Sequence, residues 1–251
     1  MSLHANTIHS VAGEGKTGQF KNTLLANLDA EVINRLHLRP VTFELGHEIE
    51  FPGQPIDYLY FVEEGMASQT VTFADGSQVE VGMFGYESVI GVSALMGTKR
   101  SLNRLYTQIP GRGYSCTFEA ASKEFIRGGS FQSLALRYVQ AQLVQAMQST
   151  GCNAKHEVDR RLARWLLLCA DRAQSNTFRM SQDYLAEMLG STRPTVSTAA
   201  AALKGLGIIE YKRGVIHICD PKRLEEHACE CYHVIKEHLD NYTEFDSGIV
   251  A

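Results

Sequence analysis

The chain has 251 residues, with 24 Lys+Arg against 28 Asp+Glu for a formal net charge of −4, and it is 44% hydrophobic and 21% charged. That balance excludes a disordered or fibrous chain and one that is basic from end to end, while the length allows one large folded unit or two smaller ones. Six cysteines, none before Cys116, read as reduced thiols rather than a disulfide framework and leave no N-terminal thiolate group to hold an iron–sulfur centre.

The stretch from Met1 to Gln19 is polar and Gly-rich, so residues 1–23 read as a tail that is neither a secretory signal nor a membrane anchor. No run approaches the roughly 18 to 20 apolar residues of a spanning helix, and the expectation is a cytoplasmic protein without a membrane partner. From Val41 to Phe118 the signals are for short strands: Val41–Leu45, Tyr58–Val62, Ala67–Phe73, Gln78–Phe84 and Leu105–Ile109. Turn residues separate them at Phe51–Pro55, Glu64-Gly65, Ala74–Ser77 and Pro110–Gly113, and Asp75-Gly76 is a hairpin signal. Strands at this spacing predict a sandwich or jelly roll over residues 24–129.

Near Ser130 the period changes. Leu136, Val139, Leu143, Ala146 and Thr150 follow at steps of three and four between Gln140, Gln142, Gln145 and Gln148, a narrow seam suited to pairing with one other helix. Residues 130–153 are therefore expected to form a dimer helix, the alternative being a helix packed on its own β domain. A second helix, Lys155 to Arg172, is expected to bury Leu162, Trp165, Leu166 and Cys169 with its arginines facing outward.

Ser181 can cap a short helix with Asp183 in its first turn and Leu185, Ala186 and Leu189 on its inner face. Gly190 stops it, Thr192 can cap a second helix, and Pro194 falls where the backbone donors have no intrahelical partner to lose. Val196, Ala200 and Leu203 form the second helix's inner stripe. Ala186 at the crossing, Gly190 in the turn and Val196 as the plug make this a helix-turn-helix. Thr192, Arg193, Thr195, Ser197 and Thr198 offer short hydroxyls and one long cation, apt for phosphates and base edges. Ile208–Lys212 and Val215–Ile218, joined at Arg213-Gly214, read as a wing with basic residues Lys212 and Arg213 at its tip. Charge follows this division: residues 155–223 hold 12 Lys/Arg against 7 Asp/Glu, or +5, while the remainder holds 12 against 21, or −9. An acidic body carries a basic module built to meet a polyanion.

From about Leu24 to Asp220 the chain resembles the Crp/Fnr family of bacterial transcription regulators, most closely over Ser181-Gln-Asp-Tyr-Leu-Ala-Glu-Met-Leu-Gly190, Ser191–Ser197 and Leu203–Ile209. The resemblance implies an α+β protein. It would have an N-terminal β-roll (jelly-roll, cyclic-nucleotide-binding-like) sensor domain, a long dimerisation helix, a C-terminal winged helix-turn-helix over 154–223 and a helical extension over 224–251. It further implies a homodimer on double-stranded DNA, RNA polymerase as a partner, a small-molecule effector and no catalytic site. Arg193 matches the family arginine that reads guanine, Thr192 and Thr195 its phosphate contacts, and Ser181 with Gln182 the contacts at the first helix. Pro194 and Thr198 depart from the family's usual acidic and arginine residues, so the half-site is expected to differ.

In the sensor, the family's nucleotide pocket pairs a glutamate on the ribose with an arginine on the cyclic phosphate. The corresponding positions here are Gly85, Glu87, Arg100 and Ser101, but Tyr86 intervenes before Glu87 and the distance to Arg100 is longer than in the pattern, which disfavours cyclic nucleotide. Met83, Val89, Ile90, Val92, Leu95 and Met96 leave a more hydrophobic effector, or none. Haem is disfavoured because His37 and His47 are isolated, and a cupin-like metalloenzyme because His47-Glu48 lacks a second histidine; a β-roll module without DNA binding is the other alternative. In His227-Ala-Cys-Glu-Cys-Tyr-His233 a continuous helix would put the pairs His227/Cys231 and Cys229/His233 on different faces, so no closed four-ligand metal site follows. Cys-Glu-Cys-Tyr resembles a sequence in one subgroup of the family.

Overall fold

The computed structural model describes residues 20–244; the N-terminal stretch read as neither signal nor anchor lies outside them. Helices α1 (Thr23–Ala26) and α2 (Ala30–Leu36) lead into an antiparallel sheet of β1 (Arg39–Phe43), β2 (Glu48–Glu50), β3 (Tyr58–Thr72), β4 (Gln78–Phe84), β5 (Val89–Ile90) and β6 (Arg104–Thr117). The order is β1-β6-β3-β4, with β2 also on β6 and β5 also on β3. Each long strand thus changes partner along its length, which bends the sheet into a roll. The Asp75-Gly76 hairpin forms between β3 and β4, with Thr72 opposite Gln78 and Gly76 at φ +85°.

Two expected turns are absent. Glu64-Gly65 and Pro110–Gly113 lie inside β3 and β6, where the pairing shifts register between Val62 and Ala67. Gly65 has φ +90°, and a Cβ on Gly111 would sit 1.8 Å from the Glu64 carbonyl oxygen. The glycines mark bulges at which two backbones touch, rather than chain reversals.

After β6 come α3 (Phe118–Arg127), α4 (Ser130–Lys155), α5 (Val158–Ala173), β7 (Thr177–Arg179), α6 (Gln182–Met188), α7 (Arg193–Gly205), β8 (Ile209–Lys212), β9 (Val215–Ile218), α8 (Pro221–His227) and α9 (Cys231–Asp240). Helix α4 turns Phe131, Leu134, Tyr138 and Ala141 into the core. Helix α5 buries Leu162, Trp165, Leu166 and Cys169 as expected, but its arginines do not all face outward: Arg161, Arg164 and Arg172 are only 7%, 5% and 4% exposed. The helix is enclosed by β3, α7, α8 and α9, so these positions have no solvent side. Arg172 pairs with Glu87 at 3.3 Å and donates to Gln145 at 3.0 Å, while Arg161 donates to the Leu189 carbonyl at 3.0 Å.

The C-terminal segment is not one helix either. Helix α8 ends at His227, Ala228 turns to extended backbone at ψ 161°, and α9 starts at Cys231. The i,i+4 relation assumed for His227/Cys231 and Cys229/His233 does not exist, and Cys229 and Cys231 both turn inward.

Candidate nucleic-acid interface

The helix-turn-helix is built as its residues require. Ser181 Oγ accepts from the Tyr184 N–H at 3.1 Å to start α6, and Thr192 Oγ1 accepts from the Thr195 N–H at 3.4 Å to start α7. Gly190 takes φ +54° in the turn, and Val196 and Ala186 are buried at the crossing. Ser197 Oγ donates to Gln182 Oε1 at 2.7 Å, tying the start of one helix to the other. Thr192 and Thr195 join hydroxyls at 2.8 Å, and Thr198 Oγ1 donates to the Pro194 carbonyl at 3.0 Å. Arg193 stands in solvent, its Nη1 3.3 Å from Asp183 Oδ1, a partner the spacing argument had assigned only to the helix dipole.

The wing closes through Arg213 at φ +51° and Gly214 at φ +73°, a two-residue hairpin with Lys212 opposite Val215. Lys212 and Arg213 are exposed. Tyr211 donates its hydroxyl to the Met180 carbonyl at 2.9 Å, and it lies within electrostatic reach of Asp183 and Arg193. The structure therefore gathers the cap of α6, the first turn of α7 and the wing.

This module rests on the roll of its own chain. Tyr184 and Tyr106 share a hydroxyl hydrogen bond of 2.8 Å, and Gln108 Nε2 lies 3.2 Å from the Met180 sulfur. Between them is a cleft of about 430 Å³ whose lining includes Leu45, Gln108, Ser181, Tyr184 and Arg213. Behind Gln108, Trp165 donates to Glu80 Oε1 at 2.8 Å and Ser68 donates to Glu80 Oε2 at 2.6 Å, with Ser68 also bonded to Gln108. Burial pushes the Glu80 carboxyl up to about 7, although both donors and the charges of Arg164 and Arg172 oppose the rise. Nothing in the sequence marked Glu80, because its partner Trp165 lies 85 positions away.

In the roll, Glu87 is buried and accepts from the Gly85 N–H at 3.2 Å and from Ser88 Oγ at 2.9 Å, besides its ion pair with Arg172. A Cβ on Gly85 would meet Arg172 at 2.6 Å. Arg100 instead donates to the Gly53 carbonyl at 2.7 Å, and Ser101 to Glu50 Oε2 at 2.6 Å. Gly85 and Glu87 thus share Ser88 and lie against Arg172, whereas Arg100 and Ser101 bond elsewhere.

On α4 the seam lies outside the core. Leu136 and Leu143 are 47% and 57% exposed, Val139 and Ala146 are half-buried and Thr150 is exposed; Met147, 58% exposed, belongs to the same face and the spacing argument missed it.

Residues 160–227 match the family of Crp-like helix-turn-helix domains. Over 216 residues the chain is 26% identical to the global nitrogen regulator of Synechococcus elongatus, covering 82% of this chain and 97% of that one. Residues 160–227 thus form a Crp-like helix-turn-helix domain, in a chain whose relatives are Crp-like and global nitrogen regulators. Another relative, the CRP-like cAMP-activated global transcriptional regulator of Mycobacterium tuberculosis, is 24% identical over 200 residues, with 76% of this chain and 88% of that one covered. Among solved structures, FixK2 of Bradyrhizobium japonicum superposes with a TM-score of 0.66 at 19% identity, over 77% of this chain and 98% of that one. A Crp/Fnr-family regulator of Eubacterium rectale gives 0.65 at 16%, over 82% and 98%. These likenesses establish the fold: a sheet-rich N-terminal domain, helices and a C-terminal helix-turn-helix. By name these relatives are transcription regulators and not enzymes, which speaks against the cupin-like alternative.

Proposed function

We propose that this Crp/Fnr regulator binds DNA as a homodimer joined along α4. Its two α7 helices would enter successive major grooves about 34 Å apart on a near-palindromic site. The observation that carries the reading is the exposed first turn of α7, where Thr192, Arg193, Thr195 and Thr198 stand in solvent beside Ser181, Gln182 and the partly buried Ser197. Arg193 reads a base edge, the hydroxyls hold phosphates, and Lys212 and Arg213 on the wing add backbone contacts. The apolar stripe of α4, left outside the core, supports the dimer. An effector or state of the roll sets DNA affinity through the contact surface at Glu80, Tyr106 and Gln108, because these are the groups on which the reading module rests.

Arg193→Ala tests the assignment. The variant weakens specific binding by about 1–3 kcal/mol and relaxes preference at one base pair, measured against a randomised duplex pool. An unchanged sequence preference would remove Arg193 from base reading.

A further inference from the structure

Three cysteines and one histidine from opposite ends of the C-terminal half meet at the end of α4. Cys152 and His156 occupy its last turn and C-cap; Cys229 comes from the link between α8 and α9, and Cys231 is the first residue of α9. Their ligand atoms all lie within 4.8 Å of one another, and the three thiols are buried. Cys152 Sγ is 3.5 Å from Cys229 Sγ, and Cys231 Sγ is 3.6 Å from His156 Nδ1. Sulfur at ~2.3 Å and nitrogen at ~2.0–2.1 Å from a tetrahedral zinc lie about 3.8 Å (S···S) and about 3.6 Å (S···N) from each other. The 3.5 Å and 3.6 Å separations are close to two of those edges, and the remaining pairs lie within 4.8 Å. They are too long for a disulfide of ~2.05 Å. With all four ligand atoms within 4.8 Å, the group is also too compact for a multi-iron cluster, in which terminal ligands on different iron atoms stand farther apart.

We propose that this is a closed Cys3His site for one thiophilic divalent ion of the zinc class. The surroundings fit that use. His156 Nε2 lies 3.3 Å from Glu230 Oε1, so an Nε2–H donated to the carboxylate leaves the Nδ1 lone pair for the ion. Gln148 Nε2 donates to Cys231 Sγ at 3.1 Å, a bond that supports a thiolate. On binding, the three thiols release three protons to solvent and the neutral imidazole none, so the loaded centre carries a charge of −1. Arg161 and Arg164, buried, each with an Nε lacking a hydrogen-bond partner and neither in an ion pair among the described residues, lie within electrostatic reach of Cys152 and Cys229 and offset that charge.

The ion would clamp the end of α4 to α8 and α9. The clamp reaches the reading module through Asn153, which accepts from Arg161 at 3.2 Å, and through Arg161, which donates to the Leu189 carbonyl before the turn.

The test uses the full chain purified without added metal, its metal content measured and then titrated with Co2+ after chelation. One ion per chain, tetrahedral cobalt bands with thiolate charge transfer, and faster amide exchange in α8 and α9 on chelation are expected. The C229S/C231S pair abolishes the spectrum. Glu230→Gln, a change at an exposed side chain that spares the core, weakens zinc binding about 10-fold. An octahedral cobalt spectrum, cobalt binding unchanged in C229S/C231S, or a chain lighter by two hydrogens from a Cys152–Cys229 disulfide would each overturn the proposal.

Discussion

Helices α4 and α5 follow one another in the chain and use their charges in opposite ways. Over its 26 residues α4 has only Arg137 and Lys155 as charged groups, yet it is the helix that leaves Leu136, Leu143 and Met147 in solvent. Over 16 residues α5 has four arginines and two aspartates, yet beyond its exposed first turn at Asp159 and Arg160 it is the helix enclosed by its neighbours. A pattern of charge therefore says which side chains need partners, not which face meets water. For α5 the partners are a carboxylate, side-chain amides and backbone carbonyls; for α4 the apolar stripe stays exposed.

The contrast breaks most sharply at Arg172. Arg172→Met strands Glu87 as an unpaired buried carboxylate and lowers stability by about 3–5 kcal/mol in urea unfolding, whereas adding Glu87→Leu returns much of the loss. A small loss in the single variant would mean that the guanidinium reaches water. On α4 the opposite outcome is expected. Leu143→Glu leaves the unfolding of the isolated chain nearly unchanged but weakens self-association on the order of 100-fold, about 3 kcal/mol, in sedimentation equilibrium. A fall in the chain's own stability would place Leu143 in the core after all.

A subtler difference is set by pH. The folded Glu80 carboxyl titrates at about 7, above its ordinary 4.5, so its contribution is fully present below the lower value and is lost as pH rises through the upper one. Between about pH 5 and pH 8 this removes on the order of 2–3 kcal/mol from the seating of α5 and α6 on the roll. Glu80→Gln, which keeps an acceptor for Trp165, flattens the dependence of thermal unfolding across that window. A wild-type slope retained in the variant would assign the dependence to another group.

How much could be read in advance varied with the range of the interaction. The helix-turn-helix was legible because its signals are local: Ser181 and Thr192 cap within three residues, Gly190 supplies the turn, and Arg213-Gly214 closes the wing. The α4 seam was legible as a period. The bulges were not, since Glu64-Gly65 and Pro110–Gly113 have turn composition and only their mutual pairing shows that they face each other. Nor was the burial of Arg161, Arg164 and Arg172, because enclosure of α5 depends on elements remote in sequence. The thiol cluster escaped for the same reason. Cys152 and Cys229 are 77 residues apart, although Cys152 and His156 at i,i+4 beside a Cys-x-Cys could have prompted the match.

The contact between Gly65 and Gly111 also governs how the roll can move. Slipping β3 against β6 by one residue would drive a side chain into the neighbouring backbone, where even a Cβ on Gly111 would stand 1.8 Å from the Glu64 carbonyl oxygen. Those two strands are pinned like a rivet through a hinge plate. Shear between β3 and β6 is thereby opposed, so a rearrangement of the roll would have to displace the bodies packed on its surface, with these two strands serving as the fixed frame.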